Sequence, residues 1–424
     1  MDTPKNLAAS ADGPTQVAVV RSANMLTTLR EIVSSPDGIS RAELARRTGL
    51  TRVTTSRFAD EFLACGLAVE SSPQILGGRG RPAANVYASR GRYIAIGLDL
   101  NVRFTHVVVI NYDGEVLAEC VRSYQSLSST PNQALHRTYT LISQALSAAR
   151  REFPEPELLG IGIGLPGVIS HGNPPRVSAP NAGWHDASIT ALEDISEQFG
   201  APTCVANEAN MAGILALTST PFSPPDPANY IYVFGDYGIG GALLVNGRLF
   251  KGVNGQAGEV GHVCADPDGD ICGCGARGCL ELFLGRANLL RAAGLPDNAS
   301  AADLRAAYDA GEAAPRAALA RAGQALGRVI GGIVNVIDIP DVVIGGWLRD
   351  LLPVLEQEAR SELERQVLGY APGIIRFHPA TQGPAGAAIG AGFWAIRDYL
   401  NDPTKIIDRY HEKHGGEDDE QPVG

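Results

Sequence analysis

Gly258-Glu259-Val260-Gly261-His262, followed by Cys272-Gly273-Cys274-Gly275 and Gly278-Cys279-Leu280-Glu281, is the stretch on which the reading of this chain turns. One histidine and three closely spaced cysteines make a Cys3His set, the donor combination of a closed, structural Zn2+ site. The intervening glycines allow the backbone to fold tightly about an ion. So compact a set suits a permanent ion better than a sensed one. Cys264 is left over; it reads as an inert buried thiol, the other reading being a mis-assigned ligand. Four of the seven cysteines fall between Cys264 and Cys279, which suits a metal site better than a disulfide framework and implies a cytoplasmic protein. No apolar run is long enough to span a membrane, and the first residues lack the basic and apolar segments of a signal peptide.

Outward from this block the chain reads as a duplicated α/β unit. Towards the N-terminus lie three strand patterns, Tyr93–Leu100, Phe104–Ile110 and Val116–Ser123, with Asp113-Gly114 as the hairpin turn. A helix over about 132–152 and a strand Leu158–Gly164 follow. Beyond the Pro-rich stretch Pro221 to Pro227 the pattern restarts: Tyr230–Gly235, Gly240–Val245, turn Asn246-Gly247, then Arg248–Phe250. The repetition points to a two-lobed, ribonuclease H-like duplicated body of the actin/hexokinase architecture, with ligands bound between the lobes. The expected boundaries are 91–218 with 385–402 for the first, smaller lobe and 219–384 for the second, zinc-bearing one. Residues 403–424 are acidic and read as a disordered tail.

The N-terminal region differs in charge. The whole chain carries a net charge of -11, yet residues 17–92 carry +5. A basic module on an acidic body is the asymmetry expected of a small nucleic-acid-binding domain. After a disordered 1–16, Met25, Leu26, Leu29, Ile32 and Val33 mark one face of a helix. Ser40 and Glu43 have the spacing of a capping box that starts a second helix. Thr48-Gly49-Leu50 makes a turn, and Thr51 caps a third helix with Val53, Phe58, Phe62 and Leu63 on its buried side. This is a helix-turn-helix, and residues 17–90 form a winged version of it. Arg52, Thr54, Thr55 and Arg57 are then the side chains offered to base edges and phosphates of double-stranded DNA. Arg79 and Arg81, within the Gly/Arg tip between two short strands, are the wing contacts.

The block from His262 to Glu281 resembles the signature of the ROK family of repressors, open reading frames and kinases. Pro166-Gly167, Pro180-Asn181-Ala182-Gly183-Trp184, Asn207-Glu208-Ala209-Asn210 and Ile344-Gly345-Gly346 fall in the family's order, and the N-terminal module resembles its repressor branch. The resemblance implies that Asn181, Asn207, Glu208, Glu259, His262 and Glu281 bind sugar hydroxyls, and that His262, Cys272, Cys274 and Cys279 hold zinc. Carboxylates accept from vicinal hydroxyls, and an Asn side chain can both donate and accept. The other reading of Glu259 and Glu281 is that they only support the ligands around them.

A kinase of this family has a phosphate loop Asp-x-Gly-Gly-Thr-Lys, a second like Gly-Thr-Gly-x-Gly, and an Asp as catalytic base. Here the first reads Asp99-Leu100-Asn101-Val102-Arg103-Phe104, the second Gly235-Asp236-Tyr237-Gly238-Ile239-Gly240, and Glu208 stands where the base belongs. The expectation is a non-enzymatic, sugar-responsive repressor of carbohydrate-metabolism genes. It would bind its operator as a homodimer or a dimer of dimers, since half-site spacing needs two recognition helices. The alternative is an ATP-dependent sugar kinase with a DNA-binding extension.

Overall fold

The computed structural model describes residues 16–71, 84–124, 129–170, 172–218, 222 and 225–414. The chain divides into two compact units: Met1–Arg92 together with Arg397–Gly424, and Tyr93–Ile396.

In the first unit, α1 (Gln16–Val33) buries Met25, Leu29 and Ile32. After β1 (Ile39–Ser40), α2 (Arg41–Thr48) starts where the Ser40 hydroxyl accepts the Glu43 N–H at 3.2 Å. The Glu43 carboxylate turns away to Arg46 and Arg47, so only half of the expected capping box forms. Gly49 closes α2 in the left-handed conformation, and Thr51 caps α3 (Arg52–Cys65). β2 (Ala68–Glu70) and β3 (Asn85–Ala88) complete an antiparallel sheet of order β1-β3-β2. Leu44, Phe58, Phe62, Leu67 and Val86 are buried in this unit.

The second unit contains the duplication. Antiparallel β4 (Tyr93–Leu100), β5 (Phe104–Asn111) and β6 (Val116–Ser123) lead to α4 (Pro131–His136) and α5 (Tyr139–Glu152). The single helix expected over 132–152 is thus broken, where the Thr138 hydroxyl donates to the Leu135 carbonyl at 2.7 Å. β7 (Glu157–Leu165) then runs parallel to β4. A small sheet of β8 (Val168–Ser170), β9 (Arg176–Ala179) and β10 (Trp184–Ser188) follows, then α6 (Ala191–Phe199), β11 (Thr203–Asn207) and α7 (Glu208–Ile214). The second half repeats the plan with β12 (Tyr230–Gly235), β13 (Ile239–Val245) and β14 (Arg248–Phe250). Helices α8 (Glu281–Leu284), α9 (Arg286–Ala292), α10 (Ala301–Asp309) and α11 (Ala313–Ile337) precede β15 (Asp341–Gly346), α12 (Leu352–Gln366), β16 (Arg376–Pro379) and α13 (Gly386–Asn401). The two large sheets, β11-β7-β4-β5-β6 and β14-β13-β12-β15-β16, have the same strand order: an antiparallel meander extended by two parallel strands.

Each lobe has its own core. Ile94, Ile96 and Leu98 of β4 meet Leu141, Ile142, Ala145 and Leu146 of α5, each large side chain contributing roughly 1.5–3 kcal/mol on burial. Ile231, Val342 and Ile344 pack with Leu326, Ile330 and Leu355 in the second lobe. The opposite sheet faces meet α7 and α13. A Cβ on Gly97 or Gly162 would sit 1.8 Å from the carbonyl oxygen of Ala388 or Ala391, so α13 lies directly on the backbone of β4 and β7. Met211 of α7 approaches Gly390 of α13 equally closely. α7 also packs with Tyr230, Tyr232 and Ala242 of the second sheet through Ala212, and Ala216 just past its end joins the same cluster.

The C-terminal region departs from expectation. Thr404–His414 forms a helix, α14, which packs against α3 in the first unit; the reading of 403–424 as a disordered tail fails over this part. Ile406 and Ile407 are buried, and Asp402 accepts hydrogen bonds from the Ser22 hydroxyl at 2.6 Å and the Thr404 hydroxyl at 2.6 Å. The apolar pair is enough to seat a short amphipathic helix that an average over an acidic segment conceals. Residues 1–15 and 415–424 lie outside the described residues. Ile406→Ala is expected to destabilise the protein by about 2–5 kcal/mol, read as an earlier thermal or urea transition. An unchanged transition would mean that α14 is not seated in solution.

Candidate functional site

Local structure at five places brings the site together. Asn181 lies in the short 3-10 turn Pro180–Ala182 after β9, and Asn207 ends β11. Glu208 opens α7, Glu259 and His262 bracket the turn that follows β14, and Glu281 opens α8. All six line one cavity of about 80 Å³, joined by Val102, Phe234 and Tyr237, which sequence reasoning missed. Asn207 is the N-cap of α7, its Oδ1 accepting from Ala209 N at 2.8 Å and Asn210 N at 3.2 Å. Its Nδ2 donates to the Gly167 carbonyl at 2.8 Å, which leaves one amide hydrogen for a ligand. Glu281 Oε2 accepts from Ile239 N at 3.0 Å. A Cβ on Gly238 would lie 2.3 Å from that same oxygen, so this glycine makes room for the carboxylate. Burial raises the Glu259 carboxyl above its ordinary value, partly offset by His262.

Beside the cavity three carboxyl groups converge. Asp99 is 2% exposed, and its Oδ1 has no hydrogen-bond partner. Burial, then the nearby Asp236, push Asp99 up to about 8, against a hydrogen bond with Glu208. Burial, then Asp99 and Asp236, hold Glu208 well above 4.5. Asp236 is pushed up to about 6 by burial, moderated by Asn101 and Arg286. The Asn101 amide holds the group together, donating from Nδ2 to Glu208 Oε2 at 3.1 Å and to Asp236 Oδ2 at 2.8 Å. Protonated carboxyls and a bridging amide let the acids pack without three adjacent negative charges.

Adjoining the cavity, one ligand atom each from His262, Cys272, Cys274 and Cys279 lies within 4.8 Å of all the others, a cluster that can hold a metal ion. His262 Nδ1 lies 3.9 Å from Cys272 Sγ, and Cys274 Sγ lies 3.6 Å from Cys279 Sγ. Cys272 and Cys279 are buried. Cys264 is exposed, correcting its reading as a buried thiol. Its backbone forms an antiparallel bridge with that of Cys279.

In the first unit, Arg52 and Arg57 are exposed on α3 and Thr54 is half-buried. Two assignments exchange places. Thr55 is fully buried, its hydroxyl donating to the Thr51 and Arg52 carbonyls, and so is unavailable to a ligand. Val53, expected inside, is 81% exposed beside Arg52. A threonine whose hydroxyl is satisfied by the preceding turn can be buried at little cost, which apolar periodicity does not register. Arg79 and Arg81 lie outside the described residues.

Two lobes with the same sheet order, a polar cavity between them and a Cys/His cluster at its edge define a two-lobed protein of the actin/hexokinase class. The model of the ROK family matches residues 95–398, and the chain belongs to that family. It is 30% identical to a putative xylose repressor of Caldicellulosiruptor sp. strain Rt8B.4, over 78% of this chain and 84% of that protein. It is 29% identical to a glucokinase of Halalkalibacterium halodurans, over 59% of this chain and 79% of that one. Its fold is similar to the crystal structure of a ROK family transcriptional regulator, a homolog of the E. coli MLC protein. That match has a TM-score of 0.73 and 20% identity and covers 92% of this chain and 99% of the other.

The carboxyl group cluster has a consequence for stability. A carboxyl raised by folding keeps a proton that the unfolded chain releases near its ordinary value of 3.8 or 4.5. Stability is therefore lost as pH climbs from there through about 6 for Asp236 and about 8 for Asp99. Glu208→Gln, which cannot ionise, is expected to raise the thermal midpoint at pH 8 and to change it little at pH 4. An equal change at both pH values would contradict the cause assigned.

Proposed function

We propose that this protein is a sugar-responsive transcriptional regulator, a repressor of carbohydrate-metabolism genes. Its first unit acts as a winged helix-turn-helix on double-stranded operator DNA, and its cleft binds a sugar effector. The observation that carries the reading is that one chain holds both parts. Asn181, Asn207, Glu208, Glu259, His262 and Glu281 converge on one cavity. α3 presents Arg52, Val53 and Arg57 outward from a helix, turn and helix arrangement. Arginines at the start of such a helix suit guanines and phosphates, and Val53 suits a thymine methyl group. The repressor named among its relatives supports the same conclusion.

Zn2+ is the ion that best suits the Cys/His cluster. Tetrahedral ligands at about 2.3 Å from zinc lie roughly 3.8 Å from one another, close to the separations of 3.6 and 3.9 Å here. The residues that would hold it are His262, Cys272, Cys274 and Cys279. With Nδ1 turned to the thiols, His262 keeps Nε2 for the cavity that it lines. Zinc would then orient a sugar ligand as well as staple the segment from Glu259 to Glu281. Operator binding by two recognition helices calls for a homodimer or a dimer of dimers. Among the described residues no helix is long and apolar enough to cross a membrane; a cytoplasmic site of action follows from the proposed binding to operator DNA.

The kinase reading draws on the glucokinase relative and on a carboxylate, Glu208, in the cavity wall. Against it stand Asp236 and Tyr237 in the second loop and Asn101 in the first, where polyphosphate needs backbone amides. We infer a non-enzymatic protein.

The test is retention of a labelled fragment of the protein's own promoter region, titrated with a panel of free sugars with and without ATP. Release by one free sugar in the absence of ATP is expected. Unchanged retention with every sugar, accompanied by sugar-dependent ATP consumption, would establish the kinase instead. Arg52→Ala is expected to weaken operator binding and, if Arg52 meets a phosphate, to lower the slope of log affinity against log salt by about 1. Thr55→Ser should leave that slope unchanged. Mercurial titration of the purified protein is expected to release one zinc per chain, and Cys279→Ser to abolish the release. Full zinc retention by Cys279→Ser would remove that cysteine from the ligand set.

A further inference from the structure

The two loops that depart from the phosphate-binding pattern touch each other across the cleft. Asn101 and Arg103 lie in the turn between β4 and β5, on the first lobe; Asp236 and Tyr237 lie in the turn between β12 and β13, on the second. Asn101 Nδ2 donates to Asp236 Oδ2 at 2.8 Å. The Arg103 guanidinium carbon sits 4.4 Å from the centre of the Tyr237 ring, within the range of a cation–π contact. We propose that these four residues form a clasp joining the lobes where a nucleotide would join them in a kinase, so that the sugar cavity is assembled by protein side chains alone.

The clasp is built rather than incidental. Asn101 is 1% exposed, and its side-chain amide both donates twice and accepts once. One amide hydrogen goes to Asp236, the other to Glu208 Oε2 at 3.1 Å, and Oδ1 accepts from Arg103 N at 3.2 Å. The backbone behind it is held too. Asn101 N donates to the Phe104 carbonyl at 2.9 Å, and the Tyr124 hydroxyl donates to the carbonyls of Asn101 and Phe104. The loop therefore presents the amide in one orientation. In the opposing loop Asp236 N donates to the Gly238 carbonyl at 3.0 Å, a tight turn that puts Asp236 and Tyr237 forward.

The clasp shares walls with the sugar cavity. Val102 between Asn101 and Arg103, Tyr237 in the opposing loop, and Glu208 hydrogen-bonded to Asn101 all line it. Side chains that a phosphate-binding loop could not tolerate thus have a positive role. They hold the lobes at the separation a sugar requires, which removes the need for a second ligand. A cleft populated in its binding-competent form binds its ligand with an affinity undiminished by the cost of closing. This proposal rests on the regulator reading for its consequence, but its contacts can be tested without sugar or DNA.

The experiment is hydrogen exchange on the full-length, metal-loaded protein with neither sugar nor nucleotide, followed at the amides of 100–104 and 236–240. The wild type is expected to protect both loops. Arg103→Ala combined with Asp236→Ala is expected to raise exchange at both loops at least tenfold while the core strands β5 and β12 stay protected. Arg103→Lys with Asp236→Asn, which keeps a cation over the ring and an acceptor for Asn101, should restore protection. Protection unchanged in the alanine pair, or lost in the core strands as well, would overturn the clasp. So would loops of the wild type that exchange freely until magnesium-ATP is added, since a nucleotide would then occupy that place. If one sugar releases the wild type from its operator, the alanine pair should need roughly ten times more of it and the conservative pair should not. A sugar panel without any effect on the wild type would sink the regulator reading and leave the exchange result standing.

Discussion

Two hydrogen bonds that Asn207 Oδ1 accepts from the amides of Ala209 and Asn210 begin α7, and the arrangement of the body depends on where that helix begins. β11 ends at Asn207, so the next residue, Glu208, is delivered to the cleft at a helix start. The rest of α7 then runs between the two sheets, with Ala212 and Gly213 against the tyrosines of β12 and Met211 against α13. Small residues on α7 and the glycines of β4 and β7 allow these helices to approach sheet and partner at backbone distance. Larger side chains would separate the lobes and dissolve the cavity.

The site follows from that geometry. Two polar turns, two helix starts and a strand end meet where the lobes face one another, and each delivers a side chain able to engage hydroxyl groups. The Cys/His cluster lies between Glu259 and Glu281, so the residues that can hold a metal and those proposed to bind sugar are set by the same few turns of chain. Beside them the Asn101 amide bridges two of three closely grouped acids, donating to Glu208 and Asp236. Burial raises all three carboxyl groups above their ordinary values, and Asp236 and Tyr237 fill the second loop with side chains. What departs from the kinase pattern also gives the cleft its own internal contacts.

Much of this was legible in the residues. The strands of both lobes and the Asp/Asn-Gly hairpins followed from alternation and turn chemistry, because a half-buried strand and a left-handed turn each restrict residue choice strongly. The four metal-ligand candidates follow from their spacing and the six cavity residues from the resemblance to the ROK family, and the structure brings each set together. Errors arose where local pattern and three-dimensional surroundings compete. Val53 and Thr55 lie a little over half a turn apart at the start of α3, where an apolar side chain suggests the wrong inner face. Thr55 goes inside because the preceding turn accepts its hydroxyl. α14 was concealed by the acidic segment around it; Ile406 and Ile407 matter only because α3 is there to receive them.

By itself the sequence determined the period of each element, the caps of α2 and α3, the repeat of one sheet plan and the donor set of a metal cluster. All of these are matters of short-range stereochemistry or ligand type. Only the tertiary structure decided that Asn101 meets Asp236 and Arg103 meets Tyr237, that Cys264 faces outward, and that the chain's last helix returns to its first unit. Residues more than 100 positions apart come into contact through the packing of whole lobes, and no local preference encodes that distance. Contacts of this kind are selected by burial and by the need to satisfy buried polar groups, which exist only once the lobes have closed.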